Sequence, residues 1–263
     1  MSRRHLSFAC EGDSLAATLD DAPGGTGLLI VSGGGEIRSG AFAGQAMLAA
    51  RIARAGHPVF RFDRRGVGDS EGEDRSFLHS TPDIAAALAA FRAARPGLAR
   101  VVGFGNCDAA SALMLGGGAG CDALVLANPW TIEQDDGAPP PAAIRARYAK
   151  KLRNPREVLR LLRGQVSLAK LARGLARAAA PPTQTSLARR MAEGLDSFHG
   201  PATILLAPRD RTAQAFLADW NANDPRISRC PGADHAFSQH GDWLFAQLCA
   251  VLAQEQARQL DMG

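Results

Sequence analysis

The feature that most constrains this chain is its repeated alternation of short apolar runs with segments of helical period. Runs that are apolar throughout are typical of parallel strands, because crossover helices cover both faces of a parallel sheet. The strand-like runs are GLLIV, PVFRF, ARVVGF, DALVLA, ATILLA and RISR. The alternation predicts an α/β fold with a mostly parallel central sheet flanked by helices, and polar–apolar alternation at 5–20 adds an antiparallel hairpin.

The alternation stops near residue 130 and resumes at residue 200. Residues 142–198 show helical patterns and no strand candidate, and the Pro-rich segment DDGAPPP breaks the chain before them. The sequence therefore predicts a core in two parts, 1–130 and 200–263, interrupted by a basic helical insertion at 131–199. Such an insertion between strands would lie as a lid over the carboxyl edge of the sheet. A chain of 263 residues that is 46% hydrophobic can build a domain of this kind.

Positive charge is concentrated in the predicted insertion. Residues 145–190 carry a net charge of +12, whereas the whole chain carries +4, so the remaining residues carry −8. In residues 155–179, leucine and valine recur every three or four positions with arginine or lysine between them, which indicates one or two cationic amphipathic helices. Three interpretations stay open: a solvated lid, a docking face for an acidic acyl carrier protein or pantetheine phosphates, or a face that binds an anionic membrane surface. The lack of interleaved aromatic residues argues against nucleic acid as a partner.

Cysteine usage and hydropathy bear on the compartment. Five cysteines are scattered without a C-x-x-C pair, which argues against a disulfide framework or a zinc site and favours a reducing compartment. The N-terminus has no apolar stretch of the signal-peptide kind, and no run approaches the length of a membrane span. We therefore expect a cytoplasmic protein, peripheral at the inner membrane if its basic insertion binds lipid. No metal or cofactor is expected, since the run GGG lacks the spacing of a nucleotide-binding loop.

Residues able to carry chemistry follow several of the predicted strands. Ligands of open α/β sheets bind beyond the carboxyl ends of the strands, so residues at these positions meet at one edge. Gly33–Gly35 follow the first apolar run, Cys107 follows the third, and Asp210 and His235 follow the last two. A nucleophile, then an acid, then a histidine about 25 residues later is the chain order of a hydrolase triad on such a sheet.

Four motifs resemble those of a known family: VSGGG at 31–35, DRRGVGDSEG at 63–72, GNCDA at 105–109, and PRDRT with GADHAF near the C-terminus. With them the chain resembles the α/β-hydrolases over nearly its whole length, most closely exosortase A system-associated hydrolase type 1. That group occurs in bacteria that make exopolysaccharide and sort proteins by a C-terminal membrane signal. The resemblance implies the α/β-hydrolase fold and hydrolase chemistry, and it leaves the natural substrate open.

The segment GNCDA suits a nucleophile elbow, the sharp strand-to-helix turn that lifts a side chain clear of the sheet. Cys107 stands where many such turns carry serine, and the small residues Gly105 and Ala109 meet the steric demand of the turn. The N-terminus of the next helix and a protonated histidine would both favour the thiolate. His235 would act as general base and later as general acid, while Asp210 fixes its tautomer.

The oxyanion donors expected beside Cys107 are the backbone N–H of Asp108 and that of Gly34 or Gly35. One such donor is typically worth roughly 3 kcal/mol of transition-state stabilisation. Asp63 and the arginines of DRRG are expected to brace the loop beneath the site. The predicted function is hydrolysis of a carboxylic ester or thioester, free or bound to a carrier, through an acyl-thioenzyme.

Other interpretations of the same residues stay open. A free cysteine between a strand and a helix is often a small buried hydrophobe. Asp135 or Asp136 could supply the acid in place of Asp210. An acyltransferase would use the same triad, and a hydrolase fold without serine or the second elbow glycine could serve as a binding or scaffold protein. Asp210 and His235 argue against that last interpretation, since a binding protein needs neither.

Overall fold

The strands predicted from the apolar runs join one sheet. A computed structural model describes residues 2–133 and 185–261, and this part contains an eight-stranded sheet in the order β1-β2-β4-β3-β5-β6-β7-β8. The strands are β1 Ser2–Cys10, β2 Asp13–Asp21, β3 Thr26–Val31, β4 Val59–Phe62, β5 Arg100–Asn106, β6 Ala123–Ala127, β7 Ala202–Leu206 and β8 Ile227–Arg229. The predicted hairpin is β1–β2, β2 pairs antiparallel with β4, and the other pairs are parallel. The fold is the α/β-hydrolase fold expected from the sequence.

Helices cover both faces of this sheet. They are α1 Gly44–Arg54, α2 Thr81–Ala94, α3 Asp108–Leu115, α4 Ser186–Asp196, α5 Arg211–Asp219 and α6 Gly241–Asp261. None of these helices of the described ranges has both the length and the hydropathy that a bilayer crossing requires. In β3, Leu29 packs in the core with α2 to α5, and Leu28 packs in the core with α1 and α6. Both leucines are fully buried although they face opposite sides of the sheet, which explains why the run 27–31 is apolar throughout.

Helix α4 falls within the predicted insertion at 131–199 and packs as part of the core. Its apolar residues Leu187, Met191 and Leu195 are buried in the same cluster as α3. The basic segment 155–179 and the alternative acids Asp135 and Asp136 lie outside the described residues. The last part of the predicted insertion therefore belongs to the hydrophobic core.

Candidate active site

The segment between β5 and α3 makes a sharp turn at Cys107. This residue has φ 63° and ψ −129°, a backbone conformation that residues other than glycine rarely adopt, and it directly precedes α3. Its N–H donates to the carbonyl of Ala127 at 2.9 Å, which holds the turn to the end of β6. An added Cβ on Gly105 would lie 2.6 Å from the backbone of Ala109, so α3 lies close to β5 only because that residue is glycine. Cys107 thus occupies a strained turn at the carboxyl end of a central strand.

Asp210 and His235 lie together at the same edge of the sheet. Asp210 precedes α5 and caps it, since its Oδ2 accepts a hydrogen bond from the N–H of Ala213 at 3.0 Å. The same Oδ2 lies 3.0 Å from Nδ1 of His235, a residue of the loop between β8 and α6. The Cys107 thiol interacts with the His235 ring and contributes to the raised pKa of the histidine. Because Asp210 engages Nδ1, Nε2 is the ring nitrogen left for the sulfur.

The contacts within this group raise the pKa of His235 and lower that of Asp210. The hydrogen bond to Asp210, followed by that with Cys107, raises the pKa of His235 to about 10 against the opposing effect of burial. For Asp210, burial alone would raise the pKa, but the hydrogen bonds from His235 and from the α5 backbone outweigh burial and hold the pKa below its usual value. The His235 side chain is 42% exposed and that of Asp210 is 10% exposed, so the imidazole is open to solvent. At neutral pH this pair is therefore an imidazolium and a carboxylate.

Among the predicted oxyanion donors, the N–H of Gly34 is already engaged by the side chain of Asp108. The N–H of Gly34 donates to both carboxylate oxygens of Asp108, at 2.7 and 2.9 Å. An added Cβ on Gly33 would lie 2.5 Å from Oδ1 of Asp108, so this loop rests on the start of α3. The N–H of Asp108 is the first of α3, and the first N–H groups of a helix have no acceptor within it. A substrate oxygen that binds the Gly34 N–H must displace the Asp108 carboxylate.

The loop that carries Gly34 is braced by the DRRG motif. The guanidinium of Arg64, which is only 4% exposed, donates to the carbonyl of Gly34. Asp63 is fully buried and accepts a hydrogen bond from the guanidinium of Arg38. The contacts of Asp63 and Arg64 are of the bracing kind expected from the sequence, whereas Arg65 pairs with Asp83 and Glu11. The backbone of Gly34 is held at its carbonyl by Arg64 and at its N–H by Asp108.

Gly35, the alternative oxyanion donor, is exposed like its neighbour Gly34, and an added Cβ on either glycine would meet no atom within 4 Å. Within the ranges that the structure describes, no three His, Cys, Asp or Glu side chains are grouped as a metal site requires. The contacts described above join His235 to Asp210 and Gly34 to Asp108, and Asp108 directly follows Cys107 in the chain.

Two asparagines that the sequence motifs did not single out also reach this site. Asn106 ends β5 and Asn128 follows β6. Both side-chain amides donate to the backbone carbonyl of His235, each at 3.1 Å. The available signal was position, because each asparagine stands at the end of an apolar strand, on the edge that also carries Cys107 and Asp210.

Comparisons with known proteins agree with the fold. Residues 28–247 match the model of the Alpha/beta hydrolase family. No curated protein has a sequence that matches the chain.

Several solved structures resemble the chain over nearly its whole length. The esterase Pf2001 of Pyrococcus furiosus has a TM-score of 0.60 and 14% identity, over 96% of this chain and 90% of that one. Est1E from Butyrivibrio proteoclasticus, solved with ferulic acid bound, has a TM-score of 0.60 and 15% identity, over 96% and 99%. XC6422 from Xanthomonas campestris, described as an a/b serine hydrolase without a lid, has a TM-score of 0.58 and 15% identity, over 99% and 95%. At such identities the likeness concerns the fold.

Proposed function

The chain belongs to the alpha/beta hydrolase family, and from this premise we propose that it hydrolyses carboxylic esters or thioesters with Cys107 as the nucleophile. The main support for the proposal is the pairing of His235 with Asp210, Nδ1 to Oδ2 at 3.0 Å, at the edge of the sheet where Cys107 makes its strained turn. A cysteine that only fills space needs no such pair at its edge of the sheet. The left-handed backbone of Cys107 is a second support, because strain of this kind clusters at functional sites.

The first half-reaction follows from the charges of the group. With His235 protonated, Cys107 reacts as a thiolate, the nucleophilic form of cysteine. The sulfur attacks the substrate carbonyl and forms a C–S bond, and the N–H groups of Asp108 and Gly34 would stabilise the tetrahedral oxyanion. The bond to the leaving alcohol or thiol then breaks, and the imidazolium gives the leaving group its proton. The products of this step are an acyl-thioenzyme and a neutral His235.

The second half-reaction uses His235 in the opposite direction. Acylation removes the thiol hydrogen bond, one of the causes of the raised pKa of His235, so the neutral ring serves as a base. It takes a proton from water while the water oxygen attacks the thioester carbon. The C–S bond then breaks, which releases the carboxylic acid and restores the thiolate beside an imidazolium. Asp210 holds the ring in one tautomer through both steps.

The cellular setting is proposed from the sequence. The resemblance to exosortase A system-associated hydrolases supports a role beside an exopolysaccharide system in a bacterial cytoplasm. The net charge of +12 over residues 145–190 supports an anionic carrier of the substrate, such as an acidic acyl carrier protein, or an anionic membrane surface. Transfer of the acyl group to an acceptor other than water would make the same triad that of an acyltransferase.

One observation favours a second candidate, a hydrolase fold that serves as a binding protein. An oxyanion would need the N–H of Gly34. This N–H already donates to the two carboxylate oxygens of Asp108, at 2.7 and 2.9 Å. A negative charge at this place opposes the charge that develops on the substrate oxygen. The two candidates therefore differ in what removal of this charge should do.

We expect Asp108→Asn to raise kcat/KM for a neutral p-nitrophenyl ester several-fold, because the variant keeps the side-chain size and removes the opposing charge. Steady-state kinetics measure the effect. The control is Glu36→Gln, which removes an exposed carboxylate two residues beyond Gly34 and should leave kcat/KM unchanged. A lower kcat/KM in Asp108→Asn would contradict the placing of the oxyanion at Gly34.

A panel of p-nitrophenyl esters and acyl-pantetheine thioesters of increasing chain length tests the proposed function itself. The wild-type protein should release nitrophenol or free thiol over many turnovers. Mass spectrometry of the acyl product separates hydrolysis, which yields the carboxylic acid, from transfer to an added acceptor. Folded protein that releases nothing across the whole panel would contradict the proposal and favour the binding protein.

A further inference from the structure

The histidine loop of the site is attached to the sheet at the carbonyl group of His235. The side-chain amides of Asn106 and Asn128 both donate to this oxygen, each at 3.1 Å. Asn106 directly precedes Cys107, so one donor is fixed to the nucleophile turn. A carbonyl oxygen that accepts hydrogen bonds from two separate segments is fixed in orientation as well as in position.

Asn128 makes contacts with three parts of the site. Its amide oxygen accepts a hydrogen bond from the N–H of Ala207 at 2.8 Å, on the segment that leads to Asp210. An N–H group can only donate, so the oxygen must face Ala207 and the amide nitrogen must face the carbonyl of His235. That nitrogen also donates to Oδ1 of Asn106 at 3.2 Å. One side chain therefore joins the nucleophile strand, the acid segment and the histidine loop.

The surroundings of Asn128 make these contacts obligatory. The side chain is fully buried, and it follows β6, whose five residues are all apolar and buried. An amide in such a place costs free energy unless its oxygen and nitrogen both find partners. Asn128 also has φ 41°, a left-handed conformation that asparagine tolerates better than most residues. Both its backbone and its side chain are thus specified by this position.

We propose that Asn128 is the positioning residue that sets His235 relative to Cys107, an inference that rests on the proposed roles of those two residues. The N–H of Cys107 donates to the carbonyl of Ala127 at 2.9 Å, and the next residue, Asn128, donates to the carbonyl of His235. Cys107 and His235 are therefore both held by hydrogen bonds to two consecutive residues at the end of β6, Ala127 and Asn128. Loss of the Asn128 amide removes one of the two hydrogen bonds to the His235 carbonyl. The imidazole ring of His235 is then no longer held in its position relative to Cys107.

The test compares Asn128→Ala with Leu124→Ala, a truncation of a fully buried residue on β6, the strand that Asn128 follows. The first readout is kcat and KM on a p-nitrophenyl ester. The second is the pH profile of Cys107 alkylation by iodoacetamide, followed by mass spectrometry, which requires no turnover. In Asn128→Ala we expect kcat to fall about tenfold or more with KM unchanged. We also expect Cys107 to be alkylated about tenfold more slowly at neutral pH, because a displaced imidazolium no longer favours the thiolate.

The control separates positioning from stability. Leu124→Ala should lower Tm and leave the alkylation profile where it lies in wild type. If Asn128→Ala does not fold, the milder Asn128→Ser is used with the same readouts. A profile that coincides with that of Leu124→Ala, or a lower kcat without a shifted profile, overturns the inference. If wild type alkylates normally but hydrolyses no ester, the proposed function fails, and the profile still reports whether Asn128 positions His235.

Discussion

Replacement of Cys107 by alanine is expected to lower ester turnover by roughly 10³-fold or more, since removal of a triad nucleophile can cost on the order of 10⁶-fold in kcat. The reason is chemical, because no other side chain of the group can form the C–S bond of the acyl-enzyme. Substrate binding should change little, since the thiol is one small group at the tip of a turn. Initial rates over a range of ester concentrations measure both effects.

The matched control for this result is Cys249→Ala. Cys249 is also a free, partly exposed cysteine, but it lies on α6, away from the turn between β5 and α3. Its replacement should leave turnover unchanged. If both variants lose activity equally, or if Cys107→Ala keeps wild-type turnover, Cys107 is not the nucleophile.

Replacement of His235 by asparagine is expected to lower kcat by roughly 10²- to 10⁴-fold, the range attributed to a general acid and base. The variant keeps a polar side chain but cannot hold a proton for the leaving group or accept one from water. The backbone carbonyl that Asn106 and Asn128 bind is retained, so the loop should stay in place. A variant with wild-type kcat would remove His235 from the mechanism.

The pH dependence of kcat/KM examines the same histidine without replacing it. Hydrogen bonds to Asp210 and Cys107 raise the pKa of His235 to about 10. The imidazolium that protonates the leaving group therefore persists through neutral pH, and kcat/KM should fall on the alkaline side only as the pH approaches that value. In Asp210→Asn the largest cause of the raised pKa is lost, so this alkaline limb should move to lower pH. An alkaline limb that is the same in both proteins would contradict the assignment.

Local patterns were sufficient to predict the sheet and the sharp turn that carries Cys107. Apolar runs such as 27–31 are buried on both faces of the sheet. Burial therefore requires apolar residues throughout the run, and such a run can be recognised in the sequence. Gly105 and Ala109 flank Cys107 within five residues, and the small size that the turn requires could be predicted from the adjacent sequence. The order of Asp210 and His235 along the chain supplied the rest of the group.

Long-range contacts were beyond such patterns. The hydrogen bond between Asn128 and the carbonyl of His235 joins residues 107 positions apart, and that between Gly34 and Asp108 joins residues 74 positions apart. Asp108 was singled out for its backbone N–H, yet its side chain engages the second predicted donor. Which side chains meet at the edge of a sheet depends on strand order, and strand order is set by the packing of the whole domain.

The most direct test of the acyl-thioenzyme mechanism is the mass of the intact protein during turnover of a slow acyl ester, quenched in acid and mapped by peptide digestion. We expect one acyl group on Cys107, which disappears in Cys107→Ala and accumulates when His235 is replaced by a residue unable to activate water. An acyl group on another residue, or ester turnover with no covalent acyl-enzyme at any time, would contradict this mechanism.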